Sequence, residues 1–175
     1  TIVIDGDISP GEWDAYYLGT SVTDWGGGMS VDVYGFADDT YLYVAYKADK
    51  TEPGWALAES LCVGANFYFS TVKDGNLLDT VFHMENPGET WQVMQTEDWV
   101  TWVELGTLEA NGVEYEYTSM WDSPDNQGVA ELKIPLSLIV IEGANQIELY
   151  GQYWQYDWSE LFYVELPPSV VTATV

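Results

Sequence analysis

The chain has 175 residues, enough for one domain of ordinary size to bury a core without disulfides. Hydrophobic residues make up 47% of it and the mean hydropathy is −0.11, which excludes a disordered acidic tail. Four Lys+Arg against 29 Asp+Glu leave a net charge of −25, a field that repels nucleic acid and anionic membrane surfaces and attracts cations.

The single cysteine, Cys62, rules out an intrachain disulfide, and its Leu61-Cys62-Val63 setting reads as a buried, inert thiol. No uninterrupted apolar stretch is long enough to span a bilayer, so membrane insertion is not expected. The 9 Trp, 13 Tyr and 5 Phe suit a pleated, half-buried surface better than a helix.

In chain order, Thr1–Ile4 reads as a short strand and Asp5–Glu12 as a turn. A strand-like run, Trp13–Thr23, ends at Gly26-Gly27-Gly28. The clearest hairpin follows: Ser30–Phe36 alternates polar and apolar residues, Asp38-Asp39 makes the turn, and Tyr41–Tyr46 returns. Pro53–Ser60 is the one short helix expected. Further strands are expected at Val63–Val72, Leu78–Met84, Thr90–Gln95, Trp99–Leu105, Val113–Met120, Val129–Ile134, Gln146–Tyr153 and Leu161–Leu166. Turn signals at Asp74-Gly75-Asn76, Asn86-Pro87-Gly88, Asn111-Gly112, Ser123–Asn126 and Glu142-Gly143 divide them. Many short strands with regular turns predict an all-β, antiparallel sandwich or barrel in one domain, residues 1–166. Pro167-Pro168 should stop the last of these strands, and Ser169, Val170, Val171, Thr172, Ala173, Thr174 and Val175 then form another. That strand is expected either to complete the same sandwich or to be donated to a neighbouring copy.

Four segments resemble one known family. Ile4-Asp-Gly-Asp-Ile-Ser-Pro-Gly-Glu-Trp13 is similar to the opening "I-D-G-x-h-x-x-x-E-W" run of family-nine carbohydrate-binding modules and related DOMON-like sandwiches, where h is apolar. Ala37–Tyr46 is similar to their "D-x-x-Y-L-Y-V" hairpin, Asn66-Phe-Tyr-Phe69 to a strand after an acidic loop, and Val129–Leu136 to an "E-h-x-I-P" strand. The resemblance implies a jelly-roll-like sandwich of two antiparallel sheets. It also implies functions found among its members: a glycan end clamped between Trp rings, structural Ca²⁺, haem binding, or a spacer role at the cell surface. Val72–Ser119 departs from the family pattern.

Flat aromatic rings stack on sugar C–H bonds while carboxylates and amides hold hydroxyls. Two clusters fit that chemistry: Trp91, Trp99 and Trp102 beside Gln92, Glu97 and Asp98, and Trp154 and Trp158 with Gln152; Trp55 is a further candidate. Ca²⁺ takes oxygen ligands, and the candidates are Asp5, Asp7, Ser9 and Glu12, then Asp38 and Asp39, Asp122, Asp125 and Asn126, and Asp157 and Glu160. Loop carboxylates also cap turns, and an acidic coat suits high salt, so the charge alone does not decide. Haem is disfavoured: His83 is the only histidine and lies in an apolar strand beside Met84. With one His and one buried-looking Cys, no nucleophilic triad is readable, and no phosphate-binding glycine loop is present, so no enzyme is expected.

The leading expectation is a non-catalytic, extracellular, glycan-binding sandwich with structural calcium. The alternative is a cell-surface filament subunit using terminal-strand exchange, and the third a haem-binding electron carrier. A chain beginning at Thr1 inside a strand-like run, together with its acidity, leads to the expectation of an exported protein whose signal peptide has been removed. The partner is expected to be a polysaccharide or copies of the chain itself.

Overall fold

The computed structural model describes residues 1–23, 29–50, 65–73, 76–84, 91–118, 127–139, 146–156, 161–165 and 169–172. Twelve strands are described: β1 (Tyr17–Thr23), β2 (Met29–Ala37), β3 (Tyr41–Lys50), β4 (Ala65–Lys73), β5 (Asn76–Met84), β6 (Gln92–Thr96), β7 (Val103–Thr107), β8 (Glu114–Thr118), β9 (Gln127–Pro135), β10 (Gln146–Tyr156), β11 (Leu161–Glu165) and β12 (Ser169–Thr172). They form two antiparallel sheets. The first runs β1-β2-β3-β9-β8 and the second β11-β10-β4-β5-β6-β7, with β12 also on β10. The expected all-β antiparallel sandwich is therefore the fold.

The period-two pattern explains the core. Val31 and Val33 on β2, Leu42, Val44 and Tyr46 on β3, and Leu132 and Ile134 on β9 point inward and are buried. Phe69, Phe82, Val93, Ile147 and Leu149 meet them from the second sheet, with the Phe69 and Phe82 rings 4.9 Å apart. The β2–β3 turn is made by Asp38, whose Oδ1 accepts the backbone N–H groups of Thr40 (2.8 Å) and Tyr41 (2.6 Å). Despite some burial, those amides, the Tyr43 hydroxyl and Lys133 hold the Asp38 carboxyl below its ordinary range.

Three sequence expectations need correction. Thr1–Ile4 is not a strand. Its apolar residues Ile2 and Ile4 instead pack on the outer face of the first sheet, against Trp13, Tyr34 and Ala45. Side-chain carboxylates take the backbone bonds that a ladder would otherwise take: Glu12 accepts Val3 N–H at 2.8 Å, and Glu131 accepts Asp5 N–H at 3.0 Å and Gly6 N–H at 2.8 Å. The run after Trp13 becomes a strand only at Tyr17, because Asp14–Tyr16 close a 3₁₀ turn. The run expected from Trp99 starts pairing only at Val103, because Asp98 caps a turn there. The helix expected at Pro53–Ser60 and Cys62 lie outside the described residues; the described α-helix is the four-residue α1, Leu136–Ile139.

Glu131 ties the opening segment down. It sits on the outer face of β9, is fully buried, and also accepts the indole N–H of Trp13 at 2.8 Å. Burial outweighs these hydrogen bonds and pushes the Glu131 carboxyl above its ordinary range. Gly6 adopts φ +82°, and a Cβ there would lie 3.1 Å from Thr118 Oγ1, so the sharp approach to β8 requires glycine. Gly6 O accepts the Thr118 hydroxyl at 2.8 Å. The residues behind the family resemblance thus build a structural latch.

Candidate functional site

The β6–β7 hairpin carries two exposed tryptophans, Trp99 and Trp102. Its turn is built by two side chains. Thr96 Oγ1 accepts the backbone N–H of Trp99 at 2.9 Å, and Asp98 Oδ1 accepts those of Val100 (2.9 Å) and Thr101 (2.7 Å). The amides of Thr101 and Val100 hold the Asp98 carboxyl below its ordinary range. Trp99 takes the left-handed conformation, φ 59°, which a bulky residue rarely adopts. The turn therefore holds its indole in a backbone geometry that costs energy.

Trp99 is 46% and Trp102 38% exposed. Their rings stand 5.6 Å apart at 86°, an edge-to-face pair. Val100 in the turn and Val103 and Leu105 on β7 extend the exposed apolar surface, and β7 ends the second sheet. Beside it lies a cleft of about 370 Å³ lined by Gln95, Thr96, Glu97, Asp98, Thr101 and Val103. Gln95 is anchored, its Nε2 donating to Leu138 O at 2.9 Å and to Thr80 Oγ1 at 3.2 Å. The site thus offers two rings at right angles, a ledge of aliphatic side chains, and the polar groups of Glu97, Asp98 and Thr101.

The structure keeps Trp99 and Trp102 together and removes Trp91 from their cluster. Trp91 is only 4% exposed and packs edge-on to Tyr115 at 6.4 Å, so its ring has no open face for a ligand. Gln152 and Trp154 lie on β10, Gln152 opposite Asn66 and Glu165 and Trp154 opposite Tyr163. Their side chains, like Trp55 and Trp158, lie outside the described residues.

Among the cation candidates, Asp5 Oδ1 accepts Asp7 N–H at 3.1 Å, Asp7 Oδ2 accepts the Ser9 hydroxyl at 3.4 Å, and Glu12 is committed to Val3. Asp38 caps its turn, with Asp39 exposed beside it. Among the described residues no group of three or more His, Cys, Asp or Glu converges as a metal site. Asp122, Asp125, Asn126, Asp157 and Glu160 lie outside those residues.

β12 pairs antiparallel with β10 of its own chain, Val171 opposite Ile147, and inserts Val171 into the core while Val170 stays exposed. β11 and β12 lie end to end along one edge of β10, with β4 on the other. Ala173, Thr174 and Val175 lie outside the described residues.

Sequence reasoning missed the exposure of Val100, Val103 and Leu105, because an alternating run looks the same at a sheet's edge as at its centre. It also missed the aromatic layer outside the first sheet, where Tyr16 stacks on Phe36 at 4.0 Å and Phe36 on Tyr43 at 4.7 Å. A signal was present: β2 and β3 carry large residues at both parities, as strands covered on both faces do.

The backbone arrangement can be compared with known structures. The fold is that of family-nine carbohydrate-binding modules. One such module from Caldicellulosiruptor kristjanssonii, solved with glucose, superposes with a TM-score of 0.54 at 13% identity, covering 99% of this chain and 92% of that one. A structure of a family-nine module from the same organism with cellotriose gives 0.53 at 12%, covering 99% and 89%. A structure described as that of a candidate carbohydrate-binding protein from Bacteroides uniformis gives 0.52 at 8%, covering 90% and 87%. No family model and no curated protein matches the chain. The likeness spans both sheets and establishes the fold. No described helix is long and apolar enough to cross a membrane.

Proposed function

We propose that this domain is a non-catalytic, extracellular carbohydrate-binding module whose contact surface is the tip of the β6–β7 hairpin. The observation that carries the reading is the exposed, perpendicular Trp99–Trp102 pair, held by the Thr96 and Asp98 caps beside a carboxylate-lined cleft. A pyranose ring would stack its C–H face on one indole and abut the edge of the other, with hydroxyls donating to Glu97 and Asp98. Two of the three structures of the same fold were solved with glucose and with cellotriose, which makes glucose and its oligomers the first ligands to try. Isothermal titration against glucose, cellotriose and a soluble polysaccharide panel tests this. Binding should fall at least about tenfold in Trp99→Ala and Trp102→Ala and be partly kept in Trp102→Phe. Silence across the panel, or unchanged affinity in both alanine variants, rejects the reading.

The charge of −25 supports a cation role alongside it. If calcium is part of the fold, millimolar calcium should raise the melting temperature and chelation reverse the rise; superimposable melting curves would argue against a calcium site.

A further inference from the structure

The larger of the two cavities described runs along β8 and shares no lining residue with the cleft beside the tryptophan hairpin. It encloses about 600 Å³ and is lined by Ile4, Glu109, Glu114, Tyr115, Glu116 and Tyr117, among others. β8 ends the first sheet, and among the described residues no strand pairs its outer edge. Such an edge presents a row of N–H and C=O groups.

The register fixes where its side chains go. Glu114 stands opposite Lys133 and Glu116 opposite Glu131, on the outer face; Tyr115 stands opposite Leu132 and Tyr117 opposite Ala130, on the inner face. A cavity that touches both sets runs along the strand's edge, not over one face. The side chains of a strand added there alternate in the same way. One set falls beside Glu114 and Glu116, with Glu109 near the end of the groove. The other set falls beside the two tyrosine rings.

Charge selects the occupant. Lys133 Nζ pairs with Glu114 at 2.8 Å, the one ion pair in this groove among the described residues. Glu109 and Glu116 add negative charge, with no ion pair among the described residues, to a chain already at −25. A second copy would bring like charge to this edge, whereas a cationic segment brings the opposite sign.

We propose that the β8 groove binds an extended cationic peptide segment, with Lys or Arg at alternate positions, as an added antiparallel or parallel strand. The five residues of β8 set the length of the contact, about 17 Å or some five ligand residues. This site is independent of the glycan surface.

The test uses the full chain and a dye-labelled (Lys-Val)₄ peptide, followed by fluorescence anisotropy in low salt. Saturable binding is expected, weakened about threefold or more by the exposed-surface pair Glu109→Gln/Glu116→Gln and further by Glu116→Lys. A fully N-methylated (Lys-Val)₄, with the same charge and no backbone donors, should bind about tenfold or more weakly. Binding should persist in Trp99→Ala/Trp102→Ala, which separates this site from the glycan reading. Equal binding of the N-methylated peptide would show diffuse charge attraction and overturn the proposal, as would no binding at all. A concentration-dependent dimer in sedimentation that Glu116→Gln abolishes would assign the edge to a second copy and also overturn it.

Discussion

Replacing Glu131 by Gln tests the latch that fixes the opening segment. Glu131 is fully buried and accepts three donors: Trp13 Nε1–H on one oxygen, and the Asp5 and Gly6 amides on the other. A glutamine has one oxygen. If it faces the two amides, its NH₂ confronts the indole N–H and both donors lose their acceptor. Each buried donor left unpaired costs about 1–3 kcal/mol, and relief from burying a charge offsets part of that, leaving a net loss of roughly 2 kcal/mol. For a chain of this size that is a fall of about 4–8 °C in melting temperature. Trp13→Phe should lose less, and the double variant little more than Glu131→Gln alone, giving a coupling of about 1 kcal/mol in a thermal-melt cycle. The pH dependence has a definite sign. Burial raises the carboxyl's pKa in the fold, so its contribution is fullest below the ordinary carboxylate range and declines as pH rises through the folded value. The stability gap between the native chain and Glu131→Gln should therefore narrow as pH rises through that raised value. Unchanged melting in Glu131→Gln, or additive single variants, would refute the latch.

Asp98 is held ionised by the Thr101 and Val100 amides, so its support of the hairpin is present above the ordinary carboxylate range and lost as pH falls through its lowered value. Tryptophan fluorescence and glycan affinity should change together in acid, and Asp98→Asn should remove that transition. Gly6→Ala places a Cβ 3.1 Å from Thr118 Oγ1 at a positive φ and should cost about 1–2 kcal/mol by chemical denaturation. Val171→Ala empties part of the core between the sheets and should cost about 1–3 kcal/mol in a monomer; if β12 is instead donated between copies, the same change should show as loss of high-mass assemblies in size-exclusion chromatography.

The sequence by itself determined the class of the fold. Val31, Val33, Leu42, Val44 and Tyr46 alternate with the strand period, and Asp38-Asp39 declares the hairpin between them, because both signals are local and each acts within a few residues. It also grouped Trp91, Trp99 and Trp102 as one cluster of rings close together in the chain. Only the tertiary structure decided which rings meet solvent. Trp91 enters the core beside Val93, while a turn capped by Asp98 turns Trp99 outward, and composition does not distinguish the two. The meaning of the opening motif was equally hidden. Trp13 and Glu131 are 118 residues apart, and the bond between them exists only because β9 lies in the sheet that the first residues cross. Periodicity records what a strand buries; a buried carboxylate's partners, and the places of β7 and β8 at the ends of their sheets among the described residues, depend on which strands come to lie side by side.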